Sequence, residues 1–404
     1  MAERDNAIGA VQGWETHTVR RIVGGRRIDC GRSSISGCSE AGTTYEDLPA
    51  ALNIPTGPWN RLAAVPSMVF MPERGRLLML VSCDAPIQGM VCFSDDLGAT
   101  WSTPEYILKR DADGNPDIGI CCGLTYLGDG NAALMRTDSV PPEIWFSNDY
   151  GQTWKESVND PPAFGGAHRR YCWDPILVDT WEGKRRCVVA GHVVEEGVSQ
   201  AFLRYSADEG RSWGEDVRIP QWSGVNEVAL LRAANGDMIA ACRTDNPEEY
   251  KEKLDHYAGL GISRSTDNGC TWSAVNMLYD WGRHHPSLLA MPDGRIVMTY
   301  AVRLGYSDTE DGFKQFGVEA LVSGDHGKSW DAEKPYILAK WPANRKGMLY
   351  SGDDYWWASP QATSTVLLPD GNLLTAFGTG YRSQPDKTHN YAPRDVGLVK
   401  WNVG

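Results

Sequence analysis

Five copies of one eight-residue pattern, Ser-x-Asp-x-Gly-x-Thr/Ser-Trp, constrain this chain more than anything else in it. They run Ser94 to Trp101, Ser147 to Trp154, Ser206 to Trp213, Ser265 to Trp272 and Ser323 to Trp330, and their first serines lie 53, 59, 59 and 58 residues apart. A near-constant period of that length marks repeated supersecondary units, each burying its apolar face on a neighbour. Within a copy, Ser and Asp side chains can bond amides of their own turn, Gly takes a backbone conformation closed to other residues, and Trp buries a large ring beneath the loop. The pattern is a structural staple, and none of its residues is expected to touch a substrate.

Around these copies an apolar run, a turn and a second apolar run recur. Examples are Ser287-Leu288-Leu289-Ala290-Met291, then Asp293-Gly294, then Ile296-Val297-Met298, and Val366-Leu367-Leu368, then Asp370-Gly371, then Leu373-Leu374. Such runs read as hairpins. A chain of 404 residues would otherwise suggest two or three domains, but radial repeats escape that prior because each unit packs only on its neighbours. With 42% apolar residues, 16 Trp and 43 Gly, core and turn chemistry are both well supplied.

The net charge of −13 argues against nucleic acid or an anionic membrane surface as the main partner, while leaving room for a local basic pocket. No apolar run reaches membrane-spanning length, and Met-Ala-Glu-Arg-Asp-Asn at the start lacks a basic segment followed by an apolar stretch. The chain is therefore expected to be intracellular, or secreted with its signal already removed. Ten cysteines show neither CxxC pairs nor zinc spacing, and Cys83, Cys92, Cys187 and Cys242 sit in strand-like runs. Buried free thiols are the expectation, with Cys30–Cys38 or Cys83–Cys92 pairing as the alternative in an oxidising compartment. No cofactor is implied.

With these boxes at this period, residues 61–404 resemble the sialidase superfamily. The resemblance implies an all-β fold, a six-bladed β-propeller with Asp-box repeats. Residues 361–379 and 395–401 supply three strands of an unboxed sixth blade. The N-terminal segment, 1–60, is expected to close the ring with a strand near His17 to Val23, residues 24–60 following as an irregular top-face connection. Boxes of this kind also occur in propellers that hydrolyse nothing, so fold and function are separate inferences.

The turn glycines Gly75, Gly130, Gly183, Gly236, Gly294 and Gly371 provide a ruler. Nine residues before them stand Cys121, Asp174, Glu227, His285 and Ala362, the first blade being blurred by a longer turn; six to nine residues after them come Asp84, Arg136, His192, Arg243 and Arg303. These positions are expected to converge on the central axis. Asn226-Glu227, followed by Arg243 and then Arg303, resembles the sialidase segment carrying a glutamate and two arginines of a carboxylate clamp. Arginine suits that task because its planar fork binds carboxylates bidentately and stays charged. The alternative for Glu227 and Arg243 is an ordinary salt bridge between paired strands.

Other features depart from the family. Ala64-Val65-Pro66 has alanine where sialidases carry the first clamp arginine, leaving Arg61 or Arg136 as substitutes, with Arg61 equally readable as a solvent-exposed loop residue. Asp84 matches the general acid/base aspartate, or else caps its own turn. Ala362 stands where the resemblance implies the tyrosine nucleophile, so Tyr350, Tyr355 and Tyr381 are the displaced candidates, each also readable as a rim aromatic. Asp174 and Glu227 offer carboxyls for an inverting route. His284-His285 with His192 invites a metal reading, weakened by the lack of fixed spacing. Trp222, Trp281, Trp356 and Trp357 suit a sugar-stacking rim, with core packing the competitor. The expected partner is a sialylated or other acidic-sugar glycan, and the expected activity is exo-hydrolysis, with a non-hydrolytic carbohydrate-binding propeller as the alternative.

Overall fold

The computed structural model describes residues 13–25, 42–59, 62–85, 87–107, 119–167, 173–251, 255–304, 306, 315–342, 360–379 and 395–404. They form an all-β, propeller-like arrangement. The strands in order are β1 (Glu15–Gly24), β2 (Thr44–Asn53), β3 (Leu62–Met71), β4 (Arg76–Ala85), β5 (Ile87–Ser94), β6 (Glu105–Tyr106), β7 (Cys121–Gly128), β8 (Asn131–Arg136) and β9 (Glu143–Ser147). They continue as β10 (Glu156–Asn159), β11 (Leu177–Trp181), β12 (Lys184–Glu195), β13 (Val198–Ser206), β14 (Val217–Ser223), β15 (Val225–Arg232), β16 (Met238–Thr244) and β17 (Leu260–Ser265). The last are β18 (Asn276–Tyr279), β19 (Arg283–Ala290), β20 (Ile296–Val302), β21 (Gln315–Ser323), β22 (Tyr336–Pro342), β23 (Thr363–Leu367), β24 (Leu373–Thr379) and β25 (Asp395–Trp401).

Four antiparallel four-stranded sheets comprise β3–β6, β7–β10, β11–β14 and β15–β18, and a nine-stranded sheet runs β19-β20-β21-β22-β1-β2-β25-β24-β23. First strands of neighbouring meanders meet: β3 packs on β7 and β23, and β19 on β15 and β23. The second strands are almost wholly buried, as Leu77 to Val81 in β4 and Ile239 to Cys242 in β16 illustrate. Apolar side chains fill the space between adjacent sheets, as where Leu260, Ile262 and Ile239 meet Met298, Tyr300 and Val302.

Each of the five boxes closes the turn after the third strand of a meander with the same serine and aspartate bonds, and four of them, all but the Trp213 copy, add a bond from the tryptophan. In the first, Ser94 Oγ donates to Asp96 Oδ1 at 2.8 Å and accepts from the Gly98 amide at 2.8 Å, while the Thr100 amide and hydroxyl donate to the two Asp96 oxygens at 2.8 and 2.7 Å. Trp101 Nε1 donates to Gly98 O at 3.1 Å. The residue before each glycine is also left-handed, Leu97 at φ 57°, Tyr150 at 62°, Glu209 at 62°, Asn268 at 64° and His326 at 61°. Side chains rarely accept that region, so the bonds to the aspartate are what hold the turn there. A tryptophan ring buries roughly 150–250 Å², worth on the order of 4–6 kcal/mol before ordering entropy is subtracted.

The N-terminal hairpin departs from expectation. His17 to Val23 lies in β1, yet the strand laid against β25 is β2, through Ala51, Leu52 and Asn53, and β1 pairs outward with β22 through Arg20 and Arg21. Residues 44–53, expected to be irregular, are therefore a strand. Its sequence, Thr-Tyr-Glu-Asp-Leu-Pro-Ala-Ala-Leu-Asn, hides it, since Asp, Glu and Pro all disfavour strands. Pro49 is tolerated because the described β25 pairing stops at Ala51, so no partner needs its missing N–H on that side. A buried polar latch follows: Thr56 Oγ1 donates to Asp395 Oδ1 at 3.0 Å and accepts from the Val396 amide at 2.8 Å.

Where described, Cys83, Cys92, Cys121, Cys122, Cys187 and Cys242 are buried thiols outside any disulfide, so the Cys83–Cys92 alternative is not borne out. Cys30 and Cys38 lie outside the described residues.

Candidate functional site

The inner strands share an irregularity at the point where the ruler found polar side chains. Register slips occur between Ala64 and Pro66 in β3, Cys122 and Thr125 in β7, Val225 and Val228 in β15, and His284 and Ser287 in β19. Such bulges re-aim side chains. Val65 and His285 sit at these slips with φ of 46° and 50°, and each is followed by proline. A β-branched residue in that region costs about 1–3 kcal/mol, which the surrounding packing must supply.

Glu227, 6% exposed, is the hub. Arg243 Nη1 donates to its Oε1 at 2.6 Å, and His285 Nδ1 stands 2.9 Å from its Oε2. On the other edge of the imidazole, Arg303 Nη2 lies 3.2 Å from His285 Nε2. A guanidinium can only donate, so Nε2 carries the lone pair and the ring proton sits on Nδ1, facing the carboxylate. Burial works to raise the Glu227 pKa, but Arg243 and then His285 outweigh it and hold the carboxyl down at about 2. Burial chiefly, with Arg243 and Arg303 adding, keeps His285 below its ordinary value.

Asp174 provides the opposite case. Burial first and the charge of Glu227 second push its pKa up to about 8, against the Val228 amide that donates to it and the more distant Arg243. A small axial cavity is lined by Asp174, Trp173, His285, Val65, Ala362 and Thr363. His192 is close enough to feel Glu227 and Arg243, although burial dominates and lowers its pKa.

The structure thus brings Glu227, Arg243, His285, Arg303 and Asp174 together. Arg303, expected to contact substrate, is 1% exposed and donates through Nε to Pro360 O at 2.9 Å, so its described contacts are internal. Arg136 ends β8, paired on one side with Cys121 and on the other with Glu143, and Asp138 and Glu143 lie 3.4 and 3.7 Å from its guanidinium. Asp84 lies in β4 opposite Ile87. Arg61, Tyr350, Tyr355, Tyr381, Trp356 and Trp357 fall outside the described residues. Ala362 is 7% exposed in the wall of the axial cavity. Trp222 is not a rim residue: it is fully buried, its ring 4.7 Å from Trp272, because β14 turns it into the core between sheets. His284 is also fully buried, and no three His, Cys, Asp or Glu side chains converge as metal ligands among the described residues.

One brace escaped the sequence. Asp245 accepts from Asn226 Nδ2 at 2.9 Å and from the Ser199 amide and hydroxyl at 2.8 and 2.7 Å, while Asn226 Oδ1 accepts the Glu227 amide at 2.8 Å. The signal was available in Asp245, two residues beyond Arg243 at the same strand end, but its partner Ser199 belongs to the neighbouring sheet.

Residues 135–381 match the family model described as a BNR repeat-like domain. The chain belongs to this family. No curated protein matches the BNR repeat-like chain in sequence. Among solved structures, a protein of unknown function from Dyadobacter fermentans superposes with a TM-score of 0.60 at 17% identity, over 85% of this chain and 95% of that one. The NanB sialidase of Streptococcus pneumoniae gives 0.56 at 12% identity, over 84% and 68%. A Hadza microbial sialidase gives 0.56 at 13%, over 100% and 91%. At these identities the likeness establishes a sialidase-like fold for this BNR repeat-like protein, and chemistry must be argued from its own site.

Proposed function

We propose that this protein is an exo-acting glycoside hydrolase that releases terminal sialic acid or a related acidic sugar from glycans. Its propeller would have six blades, the nine-stranded sheet being β19–β22 and the set β23, β24, β25, β2, joined edge to edge by β1. The N-terminal segment 1–60 would then serve as a clasp on a propeller body spanning 61–404.

The observation that carries the reading is geometric: Glu227 is bonded by Arg243 at 2.6 Å and faces His285 at 2.9 Å, while Asp174 lines the adjoining cavity without such partners among the described residues, so that Arg243 holds Glu227 down and burial with Glu227 pushes Asp174 up. Pairs driven apart in this way divide acid from charge-stabilising roles. Asp174 would give its proton to the leaving oxygen as the glycosidic C–O bond breaks. The Glu227 carboxylate would stabilise the positive charge developing at the anomeric carbon before water adds there. Arg243, beside Glu227, would offer its fork to the substrate carboxylate, with Arg303 and His285 positioning the hub and Arg136 or Arg61 as further anion contacts. Asp84 is the alternative proton donor and Tyr350 the displaced nucleophile that a retaining route would require.

A second reading, a propeller that binds an acidic sugar without cleaving it, is favoured by Ala362 in the cavity wall at the position where the family resemblance implies tyrosine. Incubation with fluorogenic sialosides and uronosides separates the two. Release that falls in Asp174→Asn, Glu227→Gln and Arg243→Ala supports the hydrolase; no release from any acidic-sugar glycoside sinks it. Proton NMR of the first-formed anomer then distinguishes inversion from retention.

A further inference from the structure

Where β15 meets β16 the ladder skips two residues. Val225 pairs with Thr244 and Val228 with Cys242, so Asn226 and Glu227 fall inside the slip, and the described register gives neither a cross-strand partner. A bulge of this kind leaves its side chains to be aimed by something other than the ladder. Glu227 is nevertheless placed closely, against Arg243 of β16 at 2.6 Å and His285 of β19 at 2.9 Å. Side chains replace the missing ladder bonds. Asn226 Oδ1 accepts the Glu227 amide at 2.8 Å, and Asn226 Nδ2 donates to Asp245 Oδ1 at 2.9 Å. Only Nδ2 can donate to a carboxylate, so Asp245 fixes which way the Asn226 amide faces.

Asp245 is itself held from the neighbouring sheet. The Ser199 hydroxyl donates to its Oδ1 at 2.7 Å and the Ser199 amide to its Oδ2 at 2.8 Å. Backbone closes the ring, with the Asp245 amide on Gly224 O at 2.8 Å and the Gly224 amide on Ser199 O at 2.7 Å. His192 of β12, in that same sheet, bonds the Asn226 backbone as well. We infer that Asp245 is a positioning residue for Glu227, passing the placement of Ser199 through Asn226 to the carboxylate that Arg243 and His285 grip. Bonds to an ionised acceptor are roughly twice as strong as neutral ones, which suits an aspartate to this post. The consequence for catalysis rests on the hydrolase reading, whereas the placement of Glu227 does not.

Positioning and a mere neighbouring charge predict opposite signs. If Asp245 acted on Glu227 only as a second negative charge, its removal would make Glu227 easier to ionise. If it holds Glu227 in place, removal loosens the grip of Arg243 and His285 and makes Glu227 harder to ionise. The groups facing Glu227 are Arg243, His285, His192 and Asp174, and the substitution alters none of them.

Carboxyl ¹³C NMR of the full chain, with the Glu227 signal assigned through Glu227→Gln, reads this without turnover. Asp245→Ala should raise the Glu227 pKa from about 2 by about one unit or more, tenfold in proton affinity. Ser199→Ala, which removes no charge, should raise it less, and Ser199→Thr, which keeps the hydroxyl, should restore the wild-type value. A Glu227 pKa unmoved or lowered in folded Asp245→Ala, or the same in Ser199→Ala as in Ser199→Thr, would overturn the role. If Asp245→Ala does not fold, the two Ser199 variants decide. On an acidic-sugar glycoside, Asp245→Ala should lower kcat about tenfold or more with KM within about twofold, the acidic limb of the pH profile moving up with the NMR value. A raised Glu227 pKa without release from any acidic-sugar glycoside would sink the hydrolase reading alone, whereas release with an unmoved Glu227 pKa would sink the positioning role alone.

Discussion

The carboxyls at the rim and those at the axis of this protein are the same chemical group under opposite rules. At the rim, Asp96, Asp149, Asp208, Asp267 and Asp325 are all held below their ordinary pKa. At Asp267 the Thr271 hydroxyl is the leading cause, and in the other four, hydroxyl and amide donors of the same turn outweigh burial. Every one of those donors lies within four residues. At the axis, Glu227 is stabilised by partners 16 and 58 residues away, and Asp174 is left without enough of them to ionise at neutral pH. The difference teaches that a carboxylate satisfied by its own turn is structural, whereas one whose charge depends on other strands can be tuned for chemistry.

Substitutions can break that contrast. The largest effect is expected on turnover: Asp174→Asn should lower kcat by about 10²–10⁴-fold with a smaller change in KM, measured on an acidic-sugar glycoside with a poor leaving group. Next comes stability at the hub. Arg243→Ala leaves Glu227 buried without its strongest partner and should cost about 3–5 kcal/mol in denaturant unfolding. At the rim, Asp149→Ala removes three bonds of one turn and should cost less, about 1–3 kcal/mol by the same measurement.

The pH-dependent effect is the most diagnostic, because its sign differs between the regions. Asp174 has its folded pKa raised to about 8 from an unfolded value near 3.9, so its proton is kept in the fold and lost in the unfolded chain between those limits. The fold therefore binds more protons there, and this contribution to stability falls as pH rises from about 4 to about 8. Asp174→Asn should raise the Tm at pH 7 and leave it nearly unchanged near pH 3.5. The rim carboxyls run the other way. With Asp267 and Asp325 held at about 2, their contribution is present above about 4 and lost as pH falls from there toward 2, so Asp325→Asn should lower the Tm at pH 7. Shifts of the same sign at pH 7 for the two Asn variants would erase the distinction between rim and axis.

The same contrast explains what could be read in advance. The boxes were legible because their bonds are local, and the hairpin grammar followed from alternation and turn glycines. The ruler found Asp174, Glu227 and His285 because the inner-strand offset recurs from sheet to sheet. What it could not supply was orientation. The left-handed turn at His285 and the burial of Arg303 depend on packing between strands far apart in sequence, as do the Ser199–Asp245 brace and the rotation of Trp222 into the core. Strand β2 was hidden by Glu46, Asp47 and Pro49, whose propensities are overridden by pairing with β1, while Ala51 to Asn53 at its end pair with β25.

That last pairing sets a timetable. Thr56 and Asp395 are 339 residues apart in the chain, yet the buried Thr56 hydroxyl donates to the Asp395 carboxylate. At about 5–20 residues per second, the ribosome delivers the second half of that contact roughly 20–70 seconds after the first. Until β22 (Tyr336–Pro342) is made the N-terminal hairpin has neither of its eventual neighbours, and β25 is still missing for the rest of the interval. A growing chain with an unclaimed strand edge can recruit the wrong strand, including one from a second nascent copy. The hairpin of β1 and β2 is thus finished long before the strands that flank it.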